Sequence, residues 1–288
     1  MLSYRHAFHA GNFADLLKHL VLVQCLRHLN AKDKPWLYVD THAGAGRYAL
    51  REAPAQRTGE AAAGIERLWQ ADTPPAALAE LRELVRAANG GPALKHYPGS
   101  PWLAHHLARP GDSLRLAEMH STDFALLRRL FADDTRRVTV SQSDGFALLK
   151  AALPPPSRRG LVLIDPSYEI KTDYGRVVAA VKDALVRFAT GTYAIWHPLL
   201  PLADAHHLPE RLKKAGAADW LHVTLAVSAP ARGGRGMHGS GMFVINPPWT
   251  LAQTLRDALP WLTNLLAQDE RAAWTLDAHE ADAAPNAR

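Results

Sequence analysis

The strongest constraint on this chain is an ordered series of short apolar runs, each leading to an acidic residue and separated from others by helix-type sequence. The first, residues 36–39, stops at Asp40 and enters the glycine turn Thr41-His-Ala-Gly-Ala-Gly46, where bare backbone can approach a ligand. Residues 114–117 lead to Glu118, residues 138–140 lead to Asp144, and residues 161–164 lead to Asp165 of the tetrapeptide Asp165-Pro-Ser-Tyr168. Strands alternating with helices imply a parallel sheet, and open α/β sheets bind ligands at the carboxyl ends of their strands. The expected fold is therefore α/β with a Rossmann-like sheet, and the acids fall where a ligand would lie.

Composition narrows the class. The chain has 288 residues, 48% of them hydrophobic and eight of them Trp, enough for a sizeable core. This length suits one catalytic domain with a small subdomain. The single cysteine, Cys25, lies in an apolar helical stretch and has no internal partner, which fits a reducing cytoplasm. No apolar run is long enough to span a bilayer, and the opening residues lack a secretory hydrophobic segment, so a soluble cytoplasmic protein is expected. The net charge of +5 and the basic pairs at 128–129, 136–137, 158–159 and 213–214 allow a polyanionic partner. Any one such pair simply solvates a surface. Two basic features gain weight from position: Arg158 and Arg159 directly precede the strand leading to Asp165, and Arg232 and Arg235 share a glycine loop.

Apolar residues recur at helical spacing over residues 12–29, predicting an amphipathic helix before the first strand. Ahead of it lies a polar and aromatic tail with Tyr4, Arg5, His6, Phe8, His9 and Asn12, either frayed or ordered against a ligand. No strand is predicted directly after Gly46. Residues 59–88 instead read as helices interrupted at Pro74-Pro75. Sheet sequence resumes at 94–97, and Pro98-Gly-Ser-Pro101 opens a helix with Ser100 as its cap. Later strands are expected at 191–196, 220–227 and 241–245, the last two as an antiparallel pair. The resulting division is a core of residues 1–52 and 96–270, with 1–30 covering the site, a helical insertion at 53–95, and a loosely ordered tail at 271–288.

Gly44-Ala-Gly-Arg-Tyr-Ala49 fits the dinucleotide pattern G-x-G-x-x-G/A, and Glu66 lies about twenty residues on, so a dehydrogenase must be weighed. Glu66, however, falls in helical sequence, whereas that pattern needs its acid at a second strand end. The first acid so placed is Glu118. This arrangement suits S-adenosylmethionine better than a nicotinamide nucleotide: Glu118 would accept the ribose hydroxyls, and Asp144, followed by Gly145, the adenine amine, with Phe146 against the ring.

Asp165-Pro-Ser-Tyr168 would carry amine chemistry. An adenine amine is a poor nucleophile, because its lone pair is delocalised into the ring. The Asp165 carboxylate and the Pro166 carbonyl could each accept one N–H and stabilise charge as the methyl arrives, with Tyr168 stacked on an extruded base. Asn246-Pro-Pro-Trp249 also fits an amine-methyltransferase pattern, but it follows two later strands and is expected as an accessory wall or a rigid turn. The fifteen histidines show no metal-ligand spacing, so no metal is expected.

Longer segments now point to a family. Met1-Leu-Ser-Tyr-Arg-His6, Phe8-His-Ala-Gly-Asn12, Ala14-Asp15, Lys18-His19, Asp40 to Tyr48, Tyr97-Pro-Gly-Ser-Pro101, Ser157-Arg-Arg-Gly160 and Asn246-Pro-Pro-Trp249 resemble the bacterial ribosomal RNA large subunit methyltransferase J family over nearly the whole chain. The resemblance implies a class I methyltransferase sheet with a helical insertion and an N-terminal tail folded over S-adenosylmethionine. It further implies methylation of N6 of one adenine in large-subunit ribosomal RNA. His19, His42, Ser100, Glu118, Asp144 and Gly145 carry over as cofactor contacts, with Lys18 and Gly44 beside them. Asp165 carries over as the catalytic acceptor and Tyr4 as an RNA contact, with His6 and Arg235 as further RNA candidates. A monomer is expected. Ser167 departs from the family motif, which has a second proline there, yet both acceptors are kept. A DNA adenine methyltransferase and an inactive RNA-binding assembly protein are the alternatives. The absence of a separate DNA-recognition domain disfavours the first, and the intact acids disfavour the second.

Overall fold

The computed structural model describes residues 5–51, 59–231 and 236–280; Tyr4, Arg232 and Arg235 lie outside them. Its elements in chain order are α1 (Phe13–Asn30), β1 (Leu37–Asp40), β2 (Arg47–Ala49), α2 (Ile65–Gln70), α3 (Ala76–Asn89), β3 (His96–Pro98), α4 (Ser100–Leu107), β4 (Ser113–Ala117), α5 (Ser121–Leu130), β5 (Val138–Ser141), α6 (Gly145–Ala152), β6 (Gly160–Ile164), α7 (Asp173–Arg187), β7 (Thr192–Leu199), α8 (Ala203–Lys213), β8 (Trp220–Ala226), β9 (Gly239–Ile245), α9 (Leu251–Leu266) and β10 (Ala273–His279). No described helix is long and apolar enough to cross a membrane.

Eight strands form one sheet in the order β10-β8-β9-β7-β6-β1-β4-β5. The stretch from β7 to β5 is parallel throughout, while β9 runs antiparallel to both β7 and β8. This is the class I methyltransferase sheet expected from sequence. The chain leaves β1 toward β4 on one side and fills β6 on the other, so the switch point of the topology lies beside β1.

At the centre of the sheet both faces are covered: every residue of β1 and β6 is buried, which is why these two strands read as apolar runs. In β6, Leu161 and Leu163 join the core under α1, α4 and α9, and Val162 and Ile164 join the core under α6, α7 and α8. Asn12 caps α1, its Oδ1 accepting from the N–H groups of Ala14 and Asp15, both at 3.0 Å. The amphipathic expectation for α1 is corrected: residues 13–23 are all buried, because α3, α4 and α9 wrap the side of the helix that the sheet leaves uncovered. The residues of α2 and α3 share this core, with Ile65, Leu68, Leu81 and Val85 at its centre.

Three other expectations change. A strand does follow the glycine turn: β2 pairs antiparallel with β3, Tyr48 opposite Tyr97. Residues 273–279, expected to be loosely ordered, form β10 along the whole of β8, with Trp274 and Leu276 packed on the core. Arg159 lies before β6, at the amino edge of the sheet, and donates to the carbonyls of Leu29, at 2.7 Å, and Lys34; it holds loops together far from the carboxyl ends.

Candidate active site

The carboxyl ends of β1, β4, β5, β6 and β7, together with α1 and residues 6–12, line a cavity of about 490 Å³. Strand order arranges its walls. Glu118 and Asp144 come from the β4 and β5 side, Thr41 to Gly44 and Asp165 from the centre, and Trp196, Pro198 and Leu200 from the β7 side. Of the residues singled out in the sequence, His6, Lys18, His19, His42, Gly44, Ser100, Glu118, Asp144, Asp165 and Pro166 all line it.

The glycine turn is built from backbone and buried acids. Gly44 has φ +61°, and a Cβ there would stand 2.0 Å from the Tyr48 hydroxyl, so only glycine fits. Its N–H donates to Glu118 Oε2 at 2.8 Å, and the N–H of His120 donates to Oε1 at 2.6 Å. Glu118 therefore holds the turn while each oxygen keeps a second lone pair toward the cavity, and burial raises its pKa. Asp40 does not reach the cavity. Fully buried, it accepts from Tyr38 Oη (2.8 Å), Ser100 Oγ (2.7 Å) and the His42 N–H (3.2 Å). Burial pushes its carboxyl up to about 6. Ser100 is thus the first residue of α4, tied to β1, rather than a helix cap.

A buried histidine, His19, and a half-buried one, His42, are neutral and complementary. Burial lowers His19 to about 3 and His42 to about 4. The Tyr97 hydroxyl lies 2.8 Å from His19 Nδ1; with that hydroxyl donating, the unpartnered, buried Nε2 is an N–H donor. The Thr41 hydroxyl donates to the Leu163 carbonyl at 3.1 Å, so it accepts from His42 Nδ1 at 2.7 Å and leaves Nε2 of His42 as an acceptor. A donor and an acceptor on one ligand wall suit a group with both a carboxylate and an amine.

Lys18 joins the helix to the loop that follows β6. Its Nζ lies 2.8 Å from Asp15 Oδ1 and 2.7 Å from Asp165 Oδ2. Burial opposes all three charges, yet the two carboxylates hold Lys18 well above its usual range. Asp15, which also accepts from the Gly11 N–H at 2.8 Å, is held well below its own by His6 and Lys18 in spite of burial. Asp165 is raised, burial outweighing Lys18. The N-terminal segment is fastened by its own pairs: Arg5 with Asp123 (3.1 Å), His6 with Asp15 (2.9 Å), and His9 with Glu60 (2.8 Å). Asp15 is the cavity residue to which sequence reasoning assigned no role, although its place one turn before Lys18 on α1 was a usable signal.

Two candidates are not where the sequence suggested, and a third takes one of its two expected roles. Tyr168 has φ +54° and is 7% exposed; its ring packs on Tyr174 and Trp196, and its hydroxyl donates to the Trp196 carbonyl at 2.8 Å. The positive φ turns the side chain into the core, and Trp196 lines the cavity in its place. Gly145 lies outside the cavity wall: a Cβ there would meet the Thr41 carbonyl oxygen at 1.9 Å, so this glycine lets α6 approach the β1 loop. Asn246 follows Ile245, which pairs with Tyr193 at the amino end of β7, so Asn246-Pro-Pro-Trp249 sits on the opposite edge of the sheet. It is a turn and no wall of this cavity. Among the described residues no group of three His, Cys, Asp or Glu could hold a metal ion.

The comparisons agree with this geometry. The family model described as "Ribosomal RNA large subunit methyltransferase D, RlmJ" matches residues 33–278. The chain belongs to that family. It is 50% identical to ribosomal RNA large subunit methyltransferase J of Escherichia coli K12, over 92% of this chain and 94% of the relative. It is 46% identical to the protein of the same name from Haemophilus influenzae, over 96% and 98%. A crystal structure of protein LPL1258 from Legionella pneumophila, 33% identical, superposes with a TM-score of 0.87 over 94% of this chain and 98% of that one. The family match spans the glycine turn, Glu118, Asp144 and Asp165.

Proposed function

We propose that this chain transfers the methyl group of S-adenosylmethionine to N6 of an adenine in large-subunit ribosomal RNA, as a cytoplasmic monomer. The observation that carries the reading is the position of Asp165. It stands between a nucleoside-type turn with Glu118 and Asp144 on one side and the apolar wall of Trp196, Pro198 and Leu200 on the other. The relatives' names supply the RNA, and the net charge of +5 suits a polyanion.

The residues fit the cofactor: a turn that only glycine can make, an unpartnered buried donor at His19 Nε2, and a strand-end acid with open lone pairs. When bound, S-adenosylmethionine supplies an electrophilic methyl. The chain's own part is to bind, orient and polarise the amine. Lys18 occupies Asp165 Oδ2, which leaves Oδ1 to accept one N–H of the target amine while the Pro166 carbonyl accepts the other. Two acceptors favour a pyramidal nitrogen whose lone pair leaves the ring, and the fixed carboxylate stabilises the positive charge that develops. Lys18 keeps Asp165 ionised against its burial. Trp196 and its neighbours would hold the extruded base in the role first considered for Tyr168.

The test is transfer of labelled methyl from S-adenosylmethionine to unmodified large-subunit ribosomal RNA, with DNA of matched sequence as control. N6-methyladenosine in the RNA alone is expected. Cofactor binding without transfer to either polymer would overturn the reading.

A further inference from the structure

Arg176 lies in the first turn of α7, just after the loop that carries Asp165, and it lines the cavity beside Asp144. One guanidinium nitrogen, Nη2, donates to Asp144 Oδ2. Another, Nη1, lies 3.4 Å from Asp173 Oδ1, and the guanidinium carbon sits 4.6 Å from the centroid of the Phe146 ring. Phe146 and His42 meet in a T-shaped contact, 5.3 Å between centroids, and Asp144 Oδ1 is taken by the Phe146 N–H at 2.9 Å. The strand-end acid and the aromatic ring that sequence alone assigned to an adenine therefore already carry a cation between them. With side chains 44% and 39% exposed, the Arg176–Asp144 pair adds little to stability, so holding the fold does not explain it.

We infer that Arg176, with Asp144, selects the adenine of the methyl donor; the inference rests on the cofactor reading above. A carboxylate acceptor beside a guanidinium donor is the complement of the adenine edge, where an amine donor adjoins a ring-nitrogen acceptor. Hypoxanthine presents a carbonyl where adenine presents the amine, and the Asp144 oxygen refuses it. Arg176 sharpens that choice by holding the carboxylate in one orientation.

The test is calorimetric titration of wild type, Arg176→Gln and Arg176→Lys with S-adenosylhomocysteine and with its inosine analogue, after thermal melts have shown each variant folded. Wild type is expected to prefer the adenine compound. Arg176→Gln should lose about tenfold in affinity for it, the scale of one charge-assisted contact, with a smaller loss for the inosine compound. Arg176→Lys keeps the charge without the plane and should recover only part of the preference. Equal losses for both compounds, unchanged or tighter binding in Arg176→Gln, or full recovery by Lys would overturn the inference. Wild type binding neither compound would instead refute the cofactor reading on which it rests.

Discussion

Two turns of one residue pattern, an acid or its amide, a proline and a closing aromatic, follow strands of the same sheet: Asp165-Pro-Ser-Tyr168 after β6 and Asn246-Pro-Pro-Trp249 after β9. Each contains a residue at positive φ, Tyr168 at +54° and Asn246 at +50°. Because β9 runs antiparallel to β7, the two turns open on opposite edges. In the first, the leading carboxylate enters the cavity and pairs with Lys18. In the second, the leading amide is consumed by structure, its Nδ2 donating to the carbonyls of Ala189 and Gly191 at 2.8 and 2.7 Å. The positive φ falls on the last residue of the first turn and the first residue of the second, so the pattern alone fixes no shape, and strand direction decides which edge the leading side chain meets.

Exchanging the leading residues gives the largest expected effect. Asp165→Asn should lower turnover about a hundred- to a thousand-fold, since an amide cannot match the carboxylate as acceptor, while cofactor affinity stays close to wild type. Asn246→Asp should keep turnover per folded molecule but lose about 3 kcal/mol of stability, because a carboxylate then faces two carbonyls in place of an N–H donor. Steady-state kinetics and denaturant titrations on the same preparations check both arms. A loss of turnover in Asn246→Asp at unchanged stability would break the comparison.

The next effect sharpens the contrast by removing the charge that only the first turn has. In the proposed reaction Asp165 must be ionised to accept the amine, and its folded pKa is already raised by burial, with Lys18 opposing the rise. Activity is therefore lost as pH falls through that folded pKa. Lys18→Met should move this acid limb to higher pH and lower turnover at neutral pH by roughly tenfold, with recovery as pH rises. A pH profile with its acid limb unmoved would show that Lys18 does not keep Asp165 ionised.

The same contrast explains what could be read from sequence. The strands leading to Asp40 and Asp165 were legible because a strand buried on both faces must be apolar throughout, and those leading to Glu118 and Asp144 because short apolar alternation ends in an acid at the same ligand edge. β10 was not, since an edge strand paired with one neighbour tolerates Ala, Asp and Thr, whose composition resembles a loose tail. The role of Tyr168 was hidden by a backbone angle that composition does not reveal, and Arg159 misled because proximity to a strand in sequence says nothing about which end of it is meant. Arg176 lies 32 residues from Asp144, a pairing that only the packing of α7 beside α6 could disclose.

The smallest effects concern the closing aromatic rings. Tyr168 is 7% exposed and Trp249 is 80% exposed, so one is core and the other is bathed in solvent. Tyr168→Phe leaves the Trp196 carbonyl without its donor and should cost about 1 kcal/mol, with turnover and the KM for RNA unchanged, because the ring is not part of the cavity wall. Trp249→Ala should stay within about 0.5 kcal/mol of wild type, since a lone exposed ring makes few contacts. Denaturant midpoints separate the two variants, and the RNA KM carries the sharper information. If Tyr168→Phe raised that KM while leaving stability intact, the hydroxyl would be serving the substrate, and the first turn would present its aromatic side chain to the base after all. If both midpoints and KM follow expectation, only the leading acid and the proline carbonyl of the first turn act on the substrate, and its tyrosine resembles the asparagine of the second turn in being spent on the fold.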